Sequence, residues 1–166
     1  MGKTAKDIMT KDVIVVEEDM KVYRLIELFN DNKIGGMPVV NKERELVGIV
    51  TKSDILGLFL DFDIDLKLKI GLNDILDLKE GESSAEVVPE TETEVKYIMT
   101  PNPITISEDT PIEKLAEIMI DKKIHRIIII RDNSIVGIVS SIDLLHYLAG
   151  GGENEWESEK RKRKEE

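Results

Sequence analysis

The chain has no cysteine among its 166 residues, which excludes disulfides, thiolate metal sites and cysteine nucleophiles together. Aromatic residues make up only 4% of it, and its two histidines, His125 and His146, are far apart in sequence with no cluster of acids beside them. With no phosphate-loop glycine signature and no H-E-x-x-H string, no catalytic residue and no metal ligand is assigned, and the expectation is a protein that is not an enzyme. Nowhere do about 18 consecutive apolar residues occur, as a membrane span needs, and the opening "MGKTAKDIMTKDVIV" lacks the apolar run of a secretory signal. A cytoplasmic protein with no membrane contact is expected. Positive charge is also in deficit: 23 Lys and Arg face 34 Asp and Glu, for a formal net charge of -11. That argues against nucleic acid as a partner, because binding to a phosphate backbone depends on concentrated positive charge.

The chain does contain a duplication. "AKDIMTKDVIVVEEDMKVYRLIELFNDNKIGGMPVVNKERELVGIVTKSDILGLF" lines up with "VKYIMTPNPITISEDTPIEKLAEIMIDKKIHRIIIIRDNSIVGIVSSIDLLHYL". Met9-Thr10 matches Met99-Thr100 at an offset of 90, whereas Gly48 matches Gly137 at 89, so the second copy is one residue shorter between these points. The polar loop, "NKERE" against "RDNS", is the natural place for the loss. The organisation expected is repeat 1 over residues 1–60, an insert over 61–94, repeat 2 over 95–149 and a charged tail over 150–166.

Each copy reads as strand, helix, strand, strand, helix. A short strand (Val13 to Val16; Ile104 to Ile106) precedes a helix whose apolar positions are Val22, Leu25, Ile26 and Phe29, matched by Ile112, Leu115, Ala116 and Met119. Both sets follow the i, i+3, i+4, i+7 stripe of a helix with one buried face. Thr110-Pro111 and Glu113 form a capping-box pattern with proline at the first helical position. Two apolar runs separated by a polar turn then predict an antiparallel hairpin, Met37 to Val40 with Leu46 to Val50 and Ile127 to Ile130 with Ile135 to Val139. A final helix begins at Thr51 or Ser140. The fold class is α+β, and a half of roughly 55 residues would be marginal alone, so the copies are expected to pair.

In the insert, "DFDIDLKLKI" alternates apolar and charged residues as a half-buried strand does, "GLNDILDL" suits a short helix, and "KEGESSAEVVPETETE" reads as a solvated acidic loop. The tail opens with Gly150-Gly151-Gly152, which breaks a helix, and continues as solvated "ENEWESEKRKRKEE".

"GIVTKSD" and "GIVSSID" place a hydroxyl, Thr51 or Ser140, where a helix N-cap is expected, with an acid, Asp54 or Asp143, at the third helical position. Both pairs serve as capping devices. The same local chemistry suits a nucleotide: a helix start favours a phosphate, and an aspartate can accept two hydrogen bonds from a ribose diol. Hydroxyl-x-x-acid is a common string; a preceding glycine and strand, and duplication within one repeated unit, make it specific.

On "DIMT" and "YIMT", the striped helix, "GGMPVV" or "HRIIII", and "GIVTKSD" or "GIVSSID", each copy resembles a cystathionine β-synthase (CBS) domain, and the pair resembles a Bateman module. The resemblance covers nearly all of residues 5–60 and 95–149, and neither the insert nor the tail. It implies two units packed about a pseudo-twofold axis, with two clefts that bind an adenosine nucleotide. Asp54 and Asp143 would contact ribose hydroxyls, Thr51 and Ser140 would lie near ribose or phosphate, and residues around Val13 to Val15 and Ile104 to Ile106 would enclose the base. His125-Arg126 resembles the His-Arg pair that meets nucleotide phosphates in the regulatory subunits of AMP-activated protein kinase, and the planar fork of arginine suits phosphate. Repeat 1 has Gly35-Gly36 there, so the clefts are expected to be unequal, with the competent site near Asp143, His125 and Arg126.

The function expected is a regulatory, energy-sensing module. Its ligand is AMP, ADP or ATP, with or without Mg2+, and no cofactor is covalent. The expected partners are a second copy, giving a homodimer, and another protein that it regulates. Two alternatives stay open: a structural or dimerisation protein that keeps the fold without a ligand, in which final-helix residues such as Leu58, Phe59, Leu145 and Leu148 serve self-association, or a sensor for S-adenosylmethionine or NAD.

Overall fold

The computed structural model describes residues 2–60 and 93–150, without the side chains of Phe59 and Leu60. The alternating stretch from Phe62 to Ile70, the short helix and acidic loop expected after it, and the charged tail lie outside the described residues. Contacts divide the chain between Ile14 and Val15 and again between Asn102 and Pro103. The first unit holds described residues 15–60 and 93–102, and the second holds 2–14 and 103–150. Each unit therefore takes its hairpin from one repeat and an "IMT" segment from the other.

In the first unit, β1 (Val16–Glu17) pairs parallel with β2 (Gly36–Val40) across the helix α2 (Val22–Asn32). β2 turns back antiparallel into β3 (Leu46–Thr51), which leads into α3 (Lys52–Leu60), and β4 (Thr100–Pro101) adds antiparallel to β3. The sheet order is β1-β2-β3-β4. The second unit begins with a single-turn helix, α1 (Ala5–Ile8). Its sheet, β5 (Thr105–Ser107), β6 (Arg126–Arg131) and β7 (Ser134–Ser140), has the same parallel-then-antiparallel pairing, with α4 (Ile112–Lys122) as the crossover and α5 (Ser141–Leu148) last. On the outer edge of β7, where the first unit has β4, Thr10 and Ile138 exchange backbone hydrogen bonds of 2.9 and 3.1 Å. Among the described residues no helix is long and apolar enough to cross a membrane.

The helical stripes bury as their spacing requires. Val22, Leu25 and Phe29 are buried on α2, and Ile112, Leu115 and Met119 on α4. Both helices end on a lysine in the left-handed conformation, Lys33 with φ 48° and Lys123 with φ 54°, which turns the chain into the next strand. The second unit's core gathers Ala5, Ile8 and Met9 with Leu115, Ile127, Ile129 and Val139. Ile128 points to the opposite face of the sheet and is buried as well. The missing residue of the second repeat falls in the hairpin turn, because Val40 pairs with Leu46 while Ile130 pairs with Ile135. The shorter turn puts Asp132 and Asn133 at φ 48° and 62°, the mirror-image turn that suits a tight hairpin.

Three local expectations need correction. The strand expected over Val13 to Val16 starts only at Val16. The Val13 N–H instead closes a tight turn on the Lys11 carbonyl at 2.9 Å, just before the chain passes from one unit to the other. The strand expected over Ile104 to Ile106 is shifted by one residue, to Thr105–Ser107. Thr110 does not cap α4: Pro111 occupies the N-cap, and the Thr110 carbonyl accepts the Ala5 N–H at 2.8 Å. The first α4 donor, Ile112 N–H, is met by the Lys3 carbonyl at 3.2 Å, as Val22 N–H on α2 is met by the Thr93 carbonyl at 3.0 Å. In both units the chain leading into the other repeat's "IMT" segment supplies a partner that a capping side chain would otherwise provide.

That segment also explains the glycine of "GIV". Gly48 lies opposite Val39, and Gly137 opposite Ile129. A Cβ at Gly137 would overlap the Met9 sulfur and come within 2.7 Å of Met9 Cγ and 3.0 Å of Met9 Cβ. A Cβ at Gly48 would overlap the Met99 sulfur and lie 3.1 Å from the Thr100 carbonyl oxygen. Each methionine is thus laid on a bare backbone, and the thioether's flexibility lets it conform to the surface.

Two outcomes are expected. Gly137→Ala should destabilise the protein by about 1 to 3 kcal/mol in urea unfolding through overpacking against Met9, and by clearly less when introduced into Met9→Ala. Gly57→Ala, on α3 with no atom within 4 Å of the new Cβ, should stabilise it by roughly 0.5 to 1 kcal/mol; equal effects at the two glycines would contradict this packing. Separately, the hydrogen bond from the Thr4 backbone N–H at 2.7 Å holds the Asp7 carboxyl below its ordinary pKa. A depressed folded-state pKa gives stability that is fully present above the ordinary carboxylate range of about 4 and is lost as pH falls through the folded value. Asp7→Asn should therefore reduce stability at neutral pH and reduce its loss on acidification, measured by denaturant unfolding at several pH values; an unchanged pH profile would contradict it.

Candidate functional site

The residues singled out in the sequence meet where β7 runs into α5. Ser140 is the N-cap of α5, and Asp143 is its third helical residue. The Ser140 backbone N–H donates to Asp143 Oδ2 at 2.6 Å and its hydroxyl donates to the same oxygen at 2.7 Å. The Asp143 N–H returns a bond to Ser140 Oγ at 3.3 Å, completing a capping box. Among the described residues, Asp143 is the buried polar or charged side chain, 4% exposed. A carboxylate tolerates that environment because donors already face it.

The first unit repeats the arrangement where β3 meets α3. The Thr51 N–H and hydroxyl donate to Asp54 Oδ2 at 2.6 and 2.7 Å. In both units, then, one carboxylate oxygen is used to fasten the helix start, with the same two distances, 2.6 and 2.7 Å.

What lies beside each cap differs. In the second unit the β6–β7 ladder sets Arg126 directly opposite Ser140, and the Ser141 N–H donates to the His125 carbonyl at 2.9 Å. His125 is exposed and Arg126 partly buried. The start of one strand and the end of its neighbour therefore bring His125, Arg126, Ser140 and Asp143 to one place. In the first unit, Gly36 is opposite Thr51, and the Lys52 N–H points to the Gly35 carbonyl at 3.5 Å. No side chain enters from the strand start there. The cation next to that cap is Lys52 itself, which a comparison of "HR" with "GG" alone passes over.

The residues expected around a base are distributed between the units. Ile104 and Ile106 are partly buried against the second unit's core. Val13 belongs to the second unit and Val15 to the first, and both are partly buried. They are not consecutive positions of one strand wall.

A further hydroxyl-x-x-acid string caps the single-turn helix and was not singled out from the sequence. In "TAKD" at α1, the Thr4 N–H and hydroxyl donate to Asp7 Oδ2 at 2.7 and 3.1 Å. Its counterpart in repeat 2, "EVKY", keeps neither residue type, so no duplication marks it. The string alone therefore marks no ligand site, and at Thr110 it does not even mark a cap. Nearby, Arg131 pairs with Glu108 through the Nε and Nη2 of one guanidinium edge, each on a different carboxylate oxygen, and holds the Glu108 carboxyl below its usual range, while Lys6 bonds Asp109 at 2.7 Å and is itself raised by that bond. Those charges fasten the turn between β5 and α4 and leave Arg126 as the arginine beside the cap. Among the described residues, no group of three or more His, Cys, Asp or Glu could hold a metal ion.

Comparison with known proteins supports the same description. A sequence model of the CBS domain matches residues 5–61 and 95–150. The uncharacterized protein MJ1426 of Methanocaldococcus jannaschii is 35% identical over 151 residues, covering 86% of this chain and 89% of its own length. Two further relatives from that organism are longer, and the chain spans 31% and 44% of them. Among solved structures, the CBS domain pair of protein MJ0100 in complex with 5′-methylthioadenosine and S-adenosyl-L-methionine matches with a TM-score of 0.69 at 24% identity, over 90% of this chain and 98% of that one. CBSX2 in complex with AMP, a protein of Arabidopsis thaliana, matches with a TM-score of 0.65 at 24% identity, over 90% and 98%. The two matched segments carry the same strand, helix, hairpin and capped helix, and the chain belongs to the CBS domain family.

Proposed function

We propose that this chain is a regulatory module, not an enzyme, that senses an adenosine nucleotide of the AMP, ADP or ATP class. The observation that carries the reading is the ladder register that sets Arg126 across from Ser140, beside the Ser140–Asp143 cap. An arginine carried on the strand across from a hydroxyl and a carboxylate would offer a phosphate its charge and paired donors, and the carboxylate would offer a ribose its acceptor. A ribose hydroxyl would donate to the Asp143 carboxylate, whose Oδ2 also holds the Ser140 cap. His125 stands next to the same place, and Ile104 and Ile106 are the apolar residues of that unit offered to a base. The AMP complex of CBSX2 and the adenosyl complexes of the MJ0100 domain pair support an adenine-bearing ligand.

The module would act on another protein, in the cytoplasm, through a change of state on binding, which requires different affinities in two states. Self-association into a homodimer is part of the reading. Ile142, Leu145 and Leu148 are 55%, 59% and 76% exposed on α5, an apolar stripe of the kind that self-association covers.

A second reading keeps the fold without a ligand, and it too has an observation in its favour: both hydroxyl–acid pairs are already satisfied as helix caps. Thermal unfolding with AMP, ADP, ATP, S-adenosylmethionine and NAD separates the two, with mass in solution measured alongside. The expected outcome is a rise in Tm with an adenosine nucleotide. A ligand at 100 times its Kd contributes about 2.7 kcal/mol, several degrees for a domain of this size. Asp143→Ala should lose that rise relative to its own ligand-free Tm. A response confined to S-adenosylmethionine or NAD would reassign the ligand. No response to any adenosyl compound, with a dimer present throughout, would favour the second reading.

A further inference from the structure

We propose that Lys52 gives the first unit the phosphate-binding cation that Arg126 gives the second, so that both units recognise a phosphorylated nucleoside by different means. The inference rests on the nucleotide reading above and goes beyond it, since the glycine pair in repeat 1 by itself points to an uncharged or empty site.

The two caps are duplicates, with a hydroxyl and its backbone N–H on one aspartate oxygen at 2.6 and 2.7 Å in each. Around them, two positions exchange character. Opposite the hydroxyl across the hairpin stands Arg126 in the second unit and Gly36 in the first. Following the hydroxyl in the chain stands Ser141 in the second unit and Lys52 in the first. One cation adjoins each hydroxyl, moved from the strand partner to the chain neighbour. Where the arginine is present, the neighbour is a small serine; where the lysine is present, the strand offers only glycine.

Geometry supports the exchange. Lys52 is the first residue of α3, and Cα–Cβ bonds of a helix tilt toward its N-terminus, the end at which α3 meets the strand starts. Its backbone fixes the starting point, with the N–H directed to the Gly35 carbonyl. Lys52 is partly buried, and neither glycine brings a side chain to the neighbouring strand start. The chemistry of the two cations then differs. Arg126, on a strand, presents a planar fork that fixes a phosphate's orientation; Lys52, on a flexible stem, presents a compact point charge that follows phosphates of different number. The second unit should discriminate strongly for a particular phosphate pattern, and the first should accept mono-, di- and triphosphates more evenly.

The test is calorimetric titration of the full chain with AMP and with adenosine, for wild type, Lys52→Gln, Lys52→Arg, Arg126→Gln and the double Lys52→Gln/Arg126→Gln variant. Lys52→Gln should lower AMP affinity at one class of site on the order of tenfold while leaving adenosine affinity there unchanged, as expected for loss of one charge-assisted contact. Lys52→Arg should retain the preference for AMP, which a merely structural role for the lysine would not require. Arg126→Gln should act on the other class, and the double variant should bind AMP no better than adenosine. Unchanged AMP-to-adenosine ratios in Lys52→Gln, with wild type binding both ligands, would overturn the assignment of Lys52 alone. Binding of neither ligand by wild type would overturn the nucleotide reading and this inference with it. Unfolding curves for each variant identify any loss of binding that comes from loss of fold.

Discussion

The structure depends on a thioether laid against a bare backbone. Met9 covers Gly137 and Met99 covers Gly48, and in each case the methionine comes from one repeat and the glycine from the other. The contact works because glycine brings no Cβ to the center of the strand and methionine adapts to what remains. With the methionine seated, Thr10 can exchange hydrogen bonds with Ile138, and Thr100-Pro101 can pair with Gly48 and Ile49, so the outer edge of each hairpin is covered. The carbonyls of Lys3 and Thr93 then reach the first N–H of α4 and α2.

The candidate site follows from the hairpins that these segments complete. A strand that ends at Ser140 or Thr51 passes directly into a helix, and the hydroxyl–acid cap makes that passage sharp. The preceding strand begins at the same level because the ladder pairs Arg126 with Ser140 and Gly36 with Thr51. Whatever stands at the start of one strand or at the first turn of the helix is therefore delivered to the same place. On the proposed reading, the ligand chemistry of each unit would come from two or three residues on a shared frame: His125, Arg126 and Ser141 in one, Gly35, Gly36 and Lys52 in the other. The capped aspartate is part of the frame before it is part of any ligand site.

Much of this was legible in the sequence because it is local. The stripes on α2 and α4, the hairpins and the helices after "GIVTKSD" and "GIVSSID" follow from periodicity and turn residues within a few positions of one another. Even the one-residue difference between repeats lies in the hairpin turn, where the polar residues placed it. What escaped was non-local. No pattern within "DIMT" says that it will dock on the other repeat's strand, so nothing in the sequence joins Met9 to Gly137 or Met99 to Gly48. The expected cap at Thr110 failed for the same reason: its carbonyl is taken by Ala5, about a hundred residues earlier in the chain. The strand expected at Val13 was lost to the passage between units. Lys52, the residue proposed for the first unit, is passed over differently, because aligning the repeats compares like positions and sets it against Ser141 rather than Arg126.

The central claim is that each compact unit combines the hairpin of one repeat with the methionine segment of the other. Nuclear Overhauser contacts from carbon-13-labelled methionine methyl groups to glycine α protons in the full chain test it directly. The account predicts contacts from Met9 to Gly137 and from Met99 to Gly48; contacts from Met9 to Gly48 and from Met99 to Gly137, each methionine on its own repeat, would contradict it.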